Sequence, residues 1–264
     1  MFKANSVYTL QTNYMHKLSI VIIAYNEENR IRKTLESAKW CDEIIVVDSG
    51  STDKTVDICR EYSNCKIYFQ SFLGYGLQKK FAVEKASNEW ILSIDADEVI
   101  TEALQQEIMT FLLNPSADAG YYVPITLIFM NKTFNYGSEN KRFFLRFFNK
   151  NKGGFNIVAL HEGIKVEGTT SKLKNEILHC SYSDIHHYFQ KSNEYSSLYA
   201  TEAFKKGKNS GIFMPVFRFP FEFFKQYFIR RNFLNGYPGF VWSAFSAFSV
   251  FVKFTKLYEK KNLV

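Results

Sequence analysis

Between Leu18 and Glu98 a short apolar, mostly β-branched run gives way four times to polar turn residues. The runs are Leu18–Ala24, Glu43–Val47, Lys66–Phe69 and Trp90–Ile94. Continuous apolarity of this length is what a strand covered on both faces requires, since a half-exposed strand would alternate. Helical spacing fills the gaps: Ile31, Leu35 and Ala38 after the first run, Val56, Cys59 and Arg60 after the second, and a segment through Ala86 after a loop with Gly74 and Gly76. The turn Asp48-Ser49-Gly50-Ser51-Thr52-Asp53 offers Ser51 or Thr52 as cap for a helix starting near Asp53. Strand and helix in strict alternation predict an α/β fold, a Rossmann-like mostly parallel sheet with helices on both faces. Such sheets bind ligands beyond the carboxyl ends of their strands. The positions to read for chemistry are therefore Ala24-Tyr25-Asn26-Glu27, Asp48 and Asp95-Ala96-Asp97.

After a helix expected at 101–113 the alternation stops. Segments 120–130, 141–149 and 155–167 read as strands of a small antiparallel region, with Gly153-Gly154 as a turn. From about residue 188 the pattern is helical and rich in aromatic residues. The expected organisation is a polar tail over 1–16, one α/β domain over 17–190 and a helical region over 191–264.

Charge sharpens that division. Residues 1–190 carry 21 Lys and Arg against 22 Asp and Glu, whereas 191–264 carry 12 against 4. The net +7 is thus a property of the last quarter alone. A near-neutral first part argues against nucleic acid, whose phosphates demand dense cationic coverage. The cysteines Cys41, Cys59, Cys65 and Cys180 form no CxxC pair, as expected of reduced thiols in a reducing compartment. No signal peptide is read in the first residues, and the charge-free stretch Gly236–Val252 spans 17 residues with Pro238 inside it. A bilayer span needs roughly 20. The expected location is cytoplasmic.

Two carboxylates at i and i+2 just past a buried strand, Asp95 and Asp97, can face one hard cation together with phosphate oxygens; a solvated acidic turn ahead of the next helix is the plainer alternative. Lys79 and Lys80 lead a helix from a glycine-containing loop and could meet a diphosphate or form a solvated face. Arg142 and Arg146 fall on one side of a strand and could meet phosphate or pair with surface acids. His179, Cys180, Asp184, His186 and His187 cluster without the spacing of a four-ligand zinc site.

Taken in order, Ile20-Val-Ile-Ile-Ala-Tyr-Asn-Glu-Glu28, Val46-Val-Asp-Ser-Gly-Ser-Thr-Asp53 and Leu92-Ser-Ile-Asp-Ala-Asp-Glu98 resemble the nucleotide-binding half of the family 2 inverting glycosyltransferases, which adopt the GT-A fold. Gly74-Tyr-Gly-Leu-Gln-Lys-Lys80, His161-Glu162 and the aromatic tract around Gly236-Tyr-Pro-Gly239 bring the likeness nearest to the bacterial subgroup that adds glucose or a similar hexose to the lipopolysaccharide inner core. The resemblance implies that Ala24 and Tyr25 line a uracil site, Glu27 lies beside the nucleoside and Asp48 bonds the base. It further implies that Asp95 approaches the ribose or diphosphate and Asp97 ligates Mg²⁺ or Mn²⁺. Lys79 joins this donor set. Many family members carry two consecutive acids where this chain has Asp48-Ser49. That departure leaves the choice of UDP unfixed by this position. Inversion calls for a base on the acceptor hydroxyl. Glu162 is the candidate, with His161 either orienting a substrate phosphate or standing as a satisfied half-buried histidine, and Asp184 as second candidate base.

Residues 213–258 hold 17 of the 46 aromatic residues, interleaved with Arg218, Lys225, Arg230, Arg231, Lys253 and Lys256. Part of this tract must pack in a core. The rest is suited to an anionic membrane surface, where a lipid-linked saccharide acceptor would sit. The combined expectation is a metal-dependent hexosyltransferase, peripheral on the inner face of the cytoplasmic membrane, using a nucleotide-sugar donor such as UDP-glucose. A glycosyltransferase of another surface polysaccharide or of a protein glycan is the alternative. A nucleotidyltransferase fits less well, because a Gly-rich basic loop is replaced by Ala24-Tyr-Asn-Glu-Glu28, and a non-enzymatic binding module is more remote.

Overall fold

A computed structural model describes residues 16–156 and 163–262. In chain order the elements are β1 (Leu18–Ala24), α1 (Ile31–Ala38), β2 (Glu43–Asp48), α2 (Thr55–Arg60), β3 (Cys65–Phe69), α3 (Tyr75–Lys85) and β4 (Trp90–Asp95). Then follow β5 (Glu98–Ile100), α4 (Glu102–Leu113), β6 (Gly120–Phe129), β7 (Lys132–Thr133), β8 (Arg142–Asn149), β9 (Gly153–Asn156) and β10 (Gly163–Val166). The chain continues through β11 (Thr170–Lys172), β12 (Ile177–His179), α5 (Ile185–Lys205), α6 (Phe213–Phe224) and α7 (Tyr237–Asn262). A π-helical turn, Lys225–Ile229, prolongs α6, and a short 3₁₀ turn, Asn232–Asn235, precedes α7.

The chain forms two compact units: Met1–Ala96 with Ile100–Val123 and Leu145–Asn175, and Asp97–Val99 with Pro124–Phe144 and Glu176–Val264. In the first, the strands run β3-β2-β1-β4-β8-β6. The pairs β1–β2, β2–β3 and β1–β4 are parallel, as the apolar runs predict. Every residue of β2 is buried, and β1 is buried except for the half-buried Ile23. On one face Val21, Ile45, Val47 and Ile91 pack with Ala82, Val83 and Ala86 of the α3 segment and with Phe148. Helix α1 buries Ile31, Thr34, Leu35 and Ala38, a single stripe at i, i+3, i+4 and i+7. An aromatic cluster closes the far side, with Trp90 4.7 Å from Phe111 and 4.9 Å from Phe147 between ring centroids.

A charged residue in this core, Glu43, is explained by its partners. Glu43 opens β2 with only 4% exposure. Its carboxylate accepts from Ser19 Oγ at 2.6 Å and from the Ser87 backbone N–H at 2.7 Å, and pairs with Lys66 at 2.7 Å. It thereby ties β1, β3 and the approach to β4. Burial pushes its pKa up, but these donors outweigh that and hold it down at about 2.

Several expectations are refined. The antiparallel partners are β8 on β4, β7 on β6 and β10 on β9, whereas β11 and β12 run parallel to β6. The segment 155–167 is β9 and β10, and residues 157–162 lie outside the described residues. Neither Ser51 nor Thr52 caps α2. Ser51 is drawn to Asp48 and the Thr52 N–H to Asn26, so the cap position passes to Lys54, which makes no side-chain cap bond. Glu98 lies in a strand and not in an acidic turn before α4, whose N-cap is Thr101.

In the second unit, α7 packs against both α5 and α6. Leu127, Phe129, Phe134, Tyr188, Val241 and Trp242 form its core, and a second cluster joins Ala200 and Ala203 to Phe254 and Leu257. Asn235, 2% exposed, clasps the turn after β7: its Oδ1 accepts from the Asn135 N–H and its Nδ2 donates to the Tyr136 carbonyl. Gly239 has no alternative, because a Cβ there would stand 1.9 Å from the Asn232 carbonyl oxygen. All four cysteines are free thiols, as expected.

Candidate active site

Register brings the strand ends of the first unit into line. Ala24 lies opposite Asp48 across β1–β2, and Ile23 opposite Asp95 across β1–β4. Beyond these ends Tyr25 is exposed, at 58%. Asn26 takes a left-handed conformation (φ 54°), one that Asn tolerates better than most residues. From there it laces the two loops together. Its N–H donates to Ser51 Oγ at 2.8 Å and its Oδ1 accepts from the Thr52 N–H at 2.8 Å. The Glu27 N–H donates to Thr55 Oγ1, the Glu28 N–H to Asp53, and the Ser49 N–H to the Ala24 carbonyl. The lip of the sheet is thus a rigid double loop, and Tyr25 projects from it.

The acids here have distinct surroundings. Asp48 is 5% exposed, and its carboxylate accepts from the Gly50 and Ser51 N–H groups and from Ser51 Oγ. Asp53 accepts from Thr55 and the Glu28 N–H, bonds that overcome desolvation and lower its pKa; its role is to hold the turn. Glu27 pairs with Arg30 at 2.6 Å. Asp95 lies between two cations, Lys79 Nζ at 2.6 Å and an Arg146 guanidinium nitrogen at 3.1 Å. Desolvation would raise its pKa, but Arg146 and then Lys79 hold it far below the usual carboxylate range. The three side chains are mostly buried, at 30%, 15% and 13% exposure. Two cations and one carboxylate thus meet at the sheet edge. Lys80, by contrast, faces Glu84 at 3.6 Å, and Arg142 pairs with Glu139 at 3.0 Å.

Asp97 belongs to the second unit. Its carbonyl accepts from the Cys180 N–H at 2.9 Å, and its Oδ1 stands 3.3 Å from Nε2 of His179. Nδ1 of His179 is 3.1 Å from Ser181 Oγ, so a hydroxyl orients the ring with Nε2 toward the carboxylate. A carboxylate oxygen and an oriented imidazole nitrogen side by side suit a divalent ion that accepts mixed oxygen and nitrogen donors, Mn²⁺ better than Mg²⁺. No group of three or more His, Cys, Asp or Glu side chains gathers among the described residues. The sequence places His179 only in a cluster without zinc spacing; the fold instead brings it to Asp97, 82 positions earlier, from the end of β12 beside β6. Asp184 turns out to be the N-cap of α5, accepting from the His187 N–H at 2.7 Å, which together with Ser183 lowers its pKa. His161 and Glu162 lie outside the described residues.

Comparison with known proteins fits this frame. Residues 19–168 match the family described as Glycosyl transferase family 2. An uncharacterized glycosyltransferase of Rickettsia felis is 35% identical over 261 residues, covering 93% of this chain and 90% of that protein. The lipopolysaccharide core biosynthesis glycosyltransferase LpsC of Rhizobium meliloti is 30% identical over 252 residues, 93% of either chain. Among solved structures, mannosyltransferase PcManGT from Pyrobaculum calidifontis, in complex with GDP-Man and Mn²⁺, aligns with a TM-score of 0.52 at 14% identity, over 94% of this chain and 88% of that one. TarS 1–349 of S. aureus in complex with UDP-GlcNAc aligns with a TM-score of 0.50 at 15% identity, over 94% and 92%. At these identities the structural likeness establishes the fold, GT-A.

Proposed function

Because this chain belongs to glycosyl transferase family 2 and is a glycosyltransferase, we propose that it moves a hexose from a nucleoside diphosphate sugar, UDP-glucose in the first instance, onto a lipid-linked core saccharide. The observation that carries the reading is the aligned edge of β1, β2 and β4, where Ala24, Asp48 and Asp95 end neighbouring parallel strands within the span matched by the family. LpsC, named for lipopolysaccharide core biosynthesis, supports the acceptor class.

In this reading Tyr25 and Ala24 receive the base, with Glu27 and Asp48 beside the nucleoside. The firmly laced loops mean that donor binding need not order them, which favours affinity. Lys79 and Arg146 keep Asp95 ionised, and Lys79 approaches the diphosphate. Asp97 and His179 hold a divalent cation, which when bound stabilises the negative charge of the departing diphosphate. Glu162 takes the proton of the acceptor hydroxyl, and His161 orients a substrate. The basic, aromatic C-terminal region keeps the enzyme on the cytoplasmic face of the membrane that carries its acceptor.

The test is transfer from radiolabelled UDP-glucose, with and without Mn²⁺, by the wild type and by Glu162→Gln. The variant is expected to retain donor binding while transfer falls by about 10²-fold or more. If donor binding disappears with transfer, Glu162 is not the base.

A further inference from the structure

Helix α6 has its polarity reversed. In water the apolar stripe of a helix faces the core and the charged side faces solvent. Here Phe213, Phe217 and Phe221, with Phe224 at its end and Phe228 in the π-helical turn that prolongs it, are 70%, 70%, 61%, 53% and 51% exposed. Their spacing of 4, 4, 3 and 4 puts all five rings on one side. The opposite side is where the polar residues are turned inward. Gln226, 7% exposed, donates to Glu222 at 2.8 Å, and Glu222 pairs with Lys225 at 2.7 Å. Both acid and amide line a cavity of about 310 Å³ shared with Tyr188, Ser192, Trp242 and Lys253. Five rings exposed to this extent present on the order of 600 Å² of apolar surface, as large as the largest patch of an ordinary monomer. Ile229, Leu234 and Tyr237, in the segments that follow, are exposed as well, at 63%, 47% and 70%.

The charge around the patch identifies what covers it. Lys205, Lys206, Lys208 and Arg231 are exposed, Arg218 lays its guanidinium over the Phe254 ring at 4.6 Å, and Glu222, the sole acid between residues 203 and 240, points inward and is paired. A second copy docked on the same face would bring cationic rims together, an unfavourable match for a two-fold interface. Anionic phospholipid supplies both the acyl chains for the rings and the phosphates for the rim. Helix α7 is long and apolar enough to cross a bilayer by length and composition. Its Trp242, Ala247, Phe254 and Leu257 are nevertheless buried, and Lys256 Nζ bonds Asn193 of α5 at 2.6 Å. A spanning α7 would forfeit those contacts.

We propose that α6 lies in the plane of an anionic bilayer, with the Phe213–Phe228 stripe among the acyl chains and the Lys and Arg rim on the headgroup phosphates. The inference deepens the proposed function by naming the surface that meets the acceptor's membrane, and rests on that reading only for the acceptor. The test is co-sedimentation of the full chain with vesicles of phosphatidylcholine alone and of phosphatidylcholine with phosphatidylglycerol. Binding is expected to the anionic vesicles, to weaken as salt is raised, and to drop about tenfold or more in Phe217→Ser/Phe221→Ser. Both positions are exposed, so the variant should fold, and its thermal shift with UDP-glucose should match that of the wild type. Wild-type protein that stays in solution with anionic vesicles overturns the proposal, as does a variant that binds like the wild type. A dimer in light scattering that the double variant abolishes would assign the stripe to a second copy and also overturn it. Loss of the UDP-glucose shift with vesicle binding intact would sink the donor reading and leave this inference standing.

Discussion

Asp95 and Asp97 stand two positions apart yet have opposite surroundings. Asp95 is neutralised by Lys79 and Arg146, whereas Asp97 faces the imidazole of His179. Their substitutions should therefore differ. Asp95→Asn leaves two mostly buried cations close to each other and should cost about 3 kcal/mol in urea unfolding, whatever it does to activity. Asp97→Ala removes the carboxylate facing His179 and should abolish Mn²⁺-dependent transfer in a protein that still unfolds cooperatively, as read from paired unfolding and transfer assays. Glu43 provides the pH test. Its folded pKa of about 2 lies below the ordinary glutamate value of about 4.3, so its stabilisation is complete above that value and is lost as pH falls toward 2. Glu43→Gln should flatten the fall in urea midpoint between about pH 4.3 and 2, while the wild type keeps it. Much of the residue-scale picture was legible: positions past buried strands carry the polar groups because register is shared. Partnerships across sequence distance were not. Nothing in local pattern joins His179 to Asp97 or Gln78 to Ser49, whose hydroxyl accepts from Gln78 Nε2 at 2.9 Å.

At the scale of elements, the buried parallel strands were the most legible because continuous apolar runs admit few other structures. Strands β5, β7, β11 and β12, of two or three residues each, were not, since so short a segment has no period to read. Helix α1 shows how the legible kind is stabilised. Leu35→Ala, at a fully buried position, should cost about 2–5 kcal/mol, measured by chemical unfolding. Asn235 shows the illegible kind, because its amide meets backbone groups of Asn135 and Tyr136 a hundred positions earlier. Asn235→Ala strands a donor and an acceptor and should lower stability by about 2 kcal/mol or more, with proteolysis appearing first in the second unit.

For the molecule as a whole, charge and aromatic content set the last quarter of the sequence apart but could not tell core rings from surface ones. The structure makes the distinction: Phe134 and Trp242 are buried, while Phe213 and Phe217 are exposed. The account depends most on a nucleotide sugar bound with the help of a cation that Asp97 and His179 hold. Calorimetric titration of UDP-glucose into the wild type, with and without Mn²⁺, and into Asp97→Ala tests this directly. The account predicts that Mn²⁺ tightens binding by at least about tenfold in the wild type and has no effect in the variant. Equal, Mn²⁺-responsive affinities in the two proteins would contradict it.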